Sequence, residues 1–243
     1  MAQSLHNRVA LITGATRGIG RAVAKRFALE GATVIAIGRT QGALEELDDE
    51  LRAENPDLPS LVLVPEDLAK KDRIEQIGAA IFERFGKLDI LVGNAAFLPD
   101  LSPAGHVPPK KWDRLLAVNL TANWRLLRAF DVLLKQSDAG RAIFSTCSVG
   151  RDGAPFWGPY AATKAGLEAL VQAYATENIN TPVRANLIDP GIVDTELRKV
   201  AFPGEDKSKL KRPHEVTDLF LKLALPSMTE TGHIFSAEED ATS

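Results

Sequence analysis

Short apolar runs bounded by turn residues recur along this chain with helical patterns between them, and a parallel sheet with crossover helices accommodates that alternation. Residues 8–13 (RVALIT) read as a buried strand, 14–20 as a glycine-rich turn and 21–30 as a helix stopped by Gly31. A second strand is expected over 32–37, an acidic amphipathic helix over 41–54, a third strand over 61–64, a helix over 70–85 and a fourth strand over 88–92. Beyond a Pro/Gly-rich loop at 100–109, a long helix over 110–136 leads to a strand at 142–145, and a helix at 158–177 leads to a strand at 183–188. Right-handed crossovers put helices on both faces. The fold class is therefore α/β, a doubly wound parallel sheet of about seven strands. No linker, repeat or low-complexity tract divides the 243 residues, so 1–243 reads as a single domain. The rhythm breaks after 190, where a short helix at 194–200, a charged stretch at 202–212 and a helix at 214–225 are expected.

The turn Thr13-Gly14-Ala15-Thr16-Arg17-Gly18-Ile19-Gly20 lies between the first strand and the first helix. Glycines at such a place let the backbone approach a pyrophosphate, and the N–H groups and dipole of the following helix attract its charge. A plain strand-to-helix turn is the alternative; the flanking strand and helix favour a Rossmann-type dinucleotide site. No Gly-Lys-Ser/Thr closes the turn, which argues against a P-loop and nucleotide hydrolysis. In a dinucleotide fold a carboxylate at the end of the second strand would bind the ribose 2′-OH of NAD. Gly38 and Arg39 stand there instead. Arg39, helped by Arg17, can pair with a 2′-phosphate, so NADP(H) is expected in preference to NAD(H), unless both arginines are simply solvated surface charges.

Tyr160 and Lys164 are four residues apart at the start of a helix and so share one face. An ammonium beside a phenol favours the phenolate and lowers its pKa, which suits a general acid/base for an alcohol/carbonyl pair. A packed tyrosine with a snorkelling lysine would look the same.

Taken together and in order, these motifs resemble the short-chain dehydrogenase/reductase family over nearly the whole chain. The resemblance rests on Thr13-Gly14-x-x-x-Gly18-Ile19-Gly20, Asp67-Leu68, Asn94-Ala95, Asn119, Tyr160-x-x-x-Lys164 and Asp189-Pro190-Gly191-Ile192-Val193-Asp194-Thr195. It implies a carbonyl reductase or alcohol dehydrogenase with Tyr160 as acid/base and Lys164 lowering its pKa and holding the nicotinamide ribose. Asn119 would relay protons through water to Lys164, Asp67 and Leu68 would meet the adenine, and Asn94 and Ala95 would line the adenosine ribose. Pro190, Gly191, Ile192, Val193 and Thr195 would seat the nicotinamide, and Gly14, Thr16, Arg17, Gly18, Ile19 and Gly20 the phosphates. A homodimer or homotetramer through the helices beginning near Lys110 and Gly158 is also implied.

The sequence departs from that pattern in three places. The family's substrate-orienting serine falls thirteen residues before the tyrosine, and here that position is Cys147, with Ser148 next. Spacing favours Cys147; chemistry favours Ser148, because a thiol is a poor donor to a developing alkoxide. Ala96 follows Asn94-Ala95 where the family usually has glycine. The tail from Gly232 lacks the family's usual Gly-Gly.

Lysine and arginine total 29 against 32 aspartates and glutamates, a net charge of −3 that offers no basic surface for nucleic acid. A lone cysteine and four scattered histidines give neither a disulfide nor a zinc spacing, so no metal is expected and a reducing cytoplasm fits. No apolar run reaches the roughly 18 residues of a membrane helix. The expected reaction is hydride transfer between NADP(H) and a carbonyl or alcohol substrate, with residues 190–225 on the substrate side. Phe97, Leu98, Phe156, Trp157, Leu197 and Phe202 point to an apolar compound, although core packing accounts for such residues equally well. The alternative is a non-catalytic NADP(H)-binding regulatory protein, motivated by Cys147 and the tail.

Overall fold

The computed structural model describes residues 3–70 and 73–237; residues 1–2, 71–72 and 238–243 lie outside it, and with them part of the helix start expected at 70 and the end of the tail. Seven strands, β1 (Val9–Thr13), β2 (Thr33–Gly38), β3 (Val62–Pro65), β4 (Ile90–Gly93), β5 (Arg141–Ser145), β6 (Arg184–Asp189) and β7 (Ile234–Ser236), form one sheet in the order β3-β2-β1-β4-β5-β6-β7. Every pairing is parallel.

Because side chains alternate along a strand, each central strand feeds both faces. Ala10, Ile12, Val34 and Ala36 pack with α1 (Gly18–Leu29), α2 (Gln41–Glu54) and α9 (Thr217–Ala224). Val9, Leu11, Ile35 and Ile37 pack with α3 (Arg73–Phe85), α5 (Ala122–Lys135) and α7 (Gly158–Glu177). Phe27 anchors the first layer and Phe130 the second, both fully buried, each worth about 1.5–3 kcal/mol of transfer free energy.

The strand order reverses beside β1: the chain runs outward to β2 and β3, then returns to β4 on the other flank. Loops leaving the carboxyl ends of β1 and β4 therefore diverge and open a crevice. The Thr13 hydroxyl ties these two ends together, donating to the Val92 carbonyl at 3.2 Å and accepting from the Asn94 and Ala95 N–H groups at 3.0 and 3.1 Å.

Four local differences from the sequence expectations bear on the site. α1 begins at Gly18 rather than 21, so the glycine turn already contains the helix's first N–H groups. The long helix expected over 110–136 is α4 (Pro109–Leu115), a π-turn (Leu116–Thr121) and α5. An unexpected short helix, α6 (Val149–Asp152), follows β5 and stops at Gly153 in the left-handed conformation. α8 (Glu196–Ala201) starts only after Thr195, whose hydroxyl accepts from the Arg198 N–H at 3.2 Å and caps it, and a 3-10 turn (Pro213–Val216) precedes α9.

Candidate active site

The loops after β1, β2, β3, β4, β5 and β6 enclose one cavity of about 880 Å³. It gathers all the expected catalytic and cofactor residues except Gly20 and Asn119, which are buried behind its wall; of the apolar candidates, Phe97, Trp157, Leu197 and Phe202 line it and Leu98 and Phe156 do not.

On the β1–β2 side, close approach decides the residue types. A Cβ on Gly20 would lie 2.4 Å from the Gly14 carbonyl oxygen and 2.6 Å from Asn94 Nδ2, so the turn closes this tightly only on glycine. The same holds at Gly38, where a Cβ would fall 2.3 Å from the Thr16 methyl. Thr16 thus occupies the space from which an aspartate on the end of β2 would have to branch. Gly14, Thr16, Arg17, Gly18 and Ile19 line the cavity, with Arg39 at the end of β2. Arg17 and Arg39 are exposed and form no ion pair among the described residues, although the Arg17 charge reaches Glu196.

Further along the wall, Asp67 Oδ1 accepts from the Ala69 N–H at 3.0 Å and its carboxylate lies 3.7 Å from Arg114; Leu68 is beside it. The Asn94 side chain bridges the sheet ends, donating to the Thr13 carbonyl at 3.4 Å and accepting from the Ser145 hydroxyl at 3.2 Å, with Ala95 next to it. Gly191, at φ +68°, donates its N–H to Asp189 Oδ1 at 3.1 Å and turns the chain through Pro190, Ile192 and Val193 toward Thr195.

Tyr160 and Lys164 come together as their spacing on α7 requires. Lys164 is buried, its Nζ 5.6 Å from the Tyr160 ring centroid and donating to the Ser145 carbonyl at 2.7 Å. Burial pulls the Lys164 ammonium below its ordinary range. Burial, followed by the neighbouring Cys147 and Asp189, pushes the Tyr160 phenol well above its own. The sequence led us to expect the reverse for Tyr160. The physical reason is that both groups are desolvated together and the lysine spends its strongest hydrogen bond on a backbone carbonyl, so the tyrosine stands as a neutral proton donor.

Cys147 and Ser148 both line the cavity. Its thiol faces the Tyr160 hydroxyl, and burial raises its pKa. Ser148 is exposed on the cavity wall at the start of α6, a residue further from that contact. The side chain beside Tyr160 is thus the one that the ungapped count picks out.

Asn119 sits in the π-turn and spends its side chain on structure. Oδ1 accepts from the Phe97 N–H at 2.8 Å, while Nδ2 donates to the Phe97 carbonyl at 2.9 Å and to the Thr163 hydroxyl at 3.2 Å. Thr163 in turn donates to the Tyr160 carbonyl at 2.7 Å. With both N–H donors and one acceptor lone pair engaged, this side chain locks the Phe97 loop to α7.

Sequence reasoning missed a polar cluster in the cavity wall. The Arg151 guanidinium, on α6, bonds Glu168 of α7 and reaches Asp189 at 3.1 Å, while Thr146 donates to Glu168 at 2.6 Å. One cation thus joins the segments carrying Cys147, Lys164 and Pro190-Gly191. Asp189 adjoining Pro190 was the available signal; nothing in the spacing announces Arg151.

A family model described as short chain dehydrogenase matches residues 8–206. The chain belongs to the short-chain dehydrogenases. This short-chain dehydrogenase is 36% identical over 235 residues to YciK, an uncharacterized oxidoreductase of Escherichia coli (strain K12), covering 96% of this chain and 93% of that one. A solved short chain dehydrogenase from Shigella flexneri 2a str. 301, complexed with NADP, superimposes with a TM-score of 0.92 at 35% identity, over 98% of this chain and 100% of that one. An NAD-dependent oxidoreductase of Mycobacterium tuberculosis (strain CDC 1551 / Oshkosh) is 33% identical over 205 residues, covering 80% of this short-chain dehydrogenase and 74% of that protein. The seven-stranded parallel sheet is the architecture these relatives lead one to expect, and among the described residues no helix is long and apolar enough to cross a membrane.

Proposed function

We propose that this chain is an NADP(H)-dependent oxidoreductase of carbonyl and alcohol groups. The observation that carries the reading is the layout of one cavity, with Tyr160, Lys164 and Cys147 at one end and, at the other, the glycine turn with Arg39, which has no ion-pair partner among the described residues. The backbone around Gly14 and Gly20 is packed too closely for any side chain, the condition under which N–H groups can meet a pyrophosphate. Arg39 and Arg17 would hold the 2′-phosphate. Gly38 and Arg39 supply no carboxylate of the kind that favours NAD, and the Shigella relative was solved with NADP. The Mycobacterium relative's name gives NAD, so cofactor choice is a property to measure.

When bound, the dinucleotide supplies a hydride to the carbonyl carbon. Tyr160 gives its phenolic proton to the carbonyl oxygen as the C–O bond becomes single. The Cys147 thiol orients that oxygen more weakly than a hydroxyl would. Lys164 holds the nicotinamide ribose and lies beside the phenol to return its proton. Asp67, Leu68, Asn94 and Ala95 would take the adenosine, and Pro190, Gly191, Ile192, Val193 and Thr195 the nicotinamide. We further propose that residues 1–243 act as one domain and associate as a homodimer or homotetramer through α4, α5 and α7, where Trp124 of α5 is exposed; light scattering would measure a multiple of the 26.3 kDa chain.

The test is fluorescence titration with NADPH and NADH, followed by a scan of ketones and aldehydes with wild type and Tyr160→Phe. Tighter NADPH binding with turnover abolished in Tyr160→Phe is expected. Binding without turnover on any carbonyl would favour the non-catalytic reading that Cys147 at the serine position motivates, and binding of neither nucleotide would refute both.

A further inference from the structure

Resting on the proposed chemistry, we infer that the substrate is an uncharged carbonyl compound with a flat apolar, aromatic body. Around Tyr160 the walls are apolar: Phe97, Val149, Trp157, Leu197, Ala201 and Cys147 form one cluster with it. Trp157 meets Tyr160 edge-on, with centroids 5.7 Å apart, and lies 6.1 Å from the Phe202 ring at a 36° tilt. These rings offer faces and edges to a planar ligand. At the mouth, Phe202 and Ile192 are exposed. Exposed apolar side chains grouped at a cavity mouth suit an apolar ligand.

Charge defines the other half of the class. Among the described residues, every cation lining this end already has a partner. Arg198 is gripped by both Glu205 oxygens at 2.6 Å and stacks on Phe202 at 3.9 Å. Arg151 is shared by Glu168 and Asp189, Arg114 lies between Asp67 and the Phe97 ring, and Lys164 holds the Ser145 carbonyl. The unpaired Arg39, and Arg17, belong to the end of β2 and the glycine turn, on the nucleotide side. A carboxylate or phosphate on the substrate would lose its hydration among aromatic rings and gain no free cation.

The probes are ethyl mandelate and mandelate, titrated calorimetrically into the NADPH-saturated protein; the ester and the acid share the aryl carbinol and differ in charge. We expect the ester to bind at least 10-fold more tightly. Phe202→Ala and Trp157→Ala should each weaken it several-fold, and Glu205→Gln, which frees Arg198, should raise mandelate affinity and leave the ester unchanged. Mandelate binding as tightly as the ester, ester binding indifferent to both aromatic truncations, or no ester binding would overturn the inference. Ethyl benzoylformate and benzoylformate, the matching ketones, separate the two levels. If the ester ligand binds as expected yet neither ketone is reduced, the chemistry fails and the ligand class stands; if only the anionic ketone is reduced, the chemistry stands and the class fails.

Discussion

Replacing Arg151 by methionine removes one guanidinium from two buried carboxylates and should loosen three segments at once. Glu168 and Asp189 are 7% and 8% exposed, and breaking a buried ion pair costs about 3–5 kcal/mol. The Arg151 side chain itself is 39% exposed, so water takes part in the contact and screening reduces the expected cost to about 2 kcal/mol. For a chain of this size each kcal/mol moves Tm by about 2–4 °C, which puts Arg151→Met roughly 4–8 °C below wild type. Glu168→Gln keeps an acceptor for the Thr146 hydroxyl while removing the charge, so the double variant should be less destabilised than the sum of the singles by about 1 kcal/mol. Lysine at 151 should restore only part of the loss, because a point charge cannot reproduce a fork shared between two carboxylates. The assay is chemical denaturation of all the variants. Strict additivity of Arg151→Met and Glu168→Gln would refute the clamp.

Other consequences are as direct. Gly20→Ala sets a methyl 2.4 Å from the Gly14 carbonyl and should cost about 1–3 kcal/mol and weaken NADPH binding, whereas Gly105→Ala, with nothing within 4 Å, should be neutral; equal thermal melts would contradict the packing argument. Arg39→Ala should weaken NADPH by about 10-fold or more, the worth of a charge-assisted contact of roughly 1.5–3 kcal/mol, and leave NADH within about 2-fold; parallel losses would remove Arg39 from the phosphate site. Burial raises the Cys147 pKa, so the thiol stays protonated at neutral pH, and its alkylation by iodoacetamide should still be climbing above about pH 9, where a free cysteine levels off. An alkylation rate already flat at pH 8 would contradict the burial. Cys147→Ser should raise kcat by about 10-fold, part of the roughly 100-fold that a full oxyanion donor is worth; a kcat that did not rise would show the thiol plays no part in orienting the oxygen.

The layered sheet was legible because its information is local: apolar runs such as 8–13 and 32–37 are buried on both faces, and the crossover helices carry their own periodicity. Glycines between strand and helix likewise announce a close approach before the atoms that make it are known. What stayed hidden depends on partners far along the chain. The π-turn follows Asn119 bonding to Phe97 and Thr163, 22 and 44 residues away, and no periodicity encodes that. α6 and its arginine are fixed by Glu168 and Asp189, 17 and 38 residues on. The direction of the Tyr160 shift was misread for a related reason: spacing gave the neighbour, Lys164, but not the depth at which both are buried.

The proposed chemistry is tested most directly by following the hydride. NADPH deuterated at C4 on both faces is incubated with uncharged aryl ketones, and the alcohol formed is examined by mass spectrometry. Wild type should place one deuterium on the carbinol carbon, and Tyr160→Phe should do so about 100-fold or more slowly while binding NADPH equally well, the loss expected when a general acid is removed. No transfer to any carbonyl by wild type, or transfer at the wild-type rate without the Tyr160 hydroxyl, would contradict it.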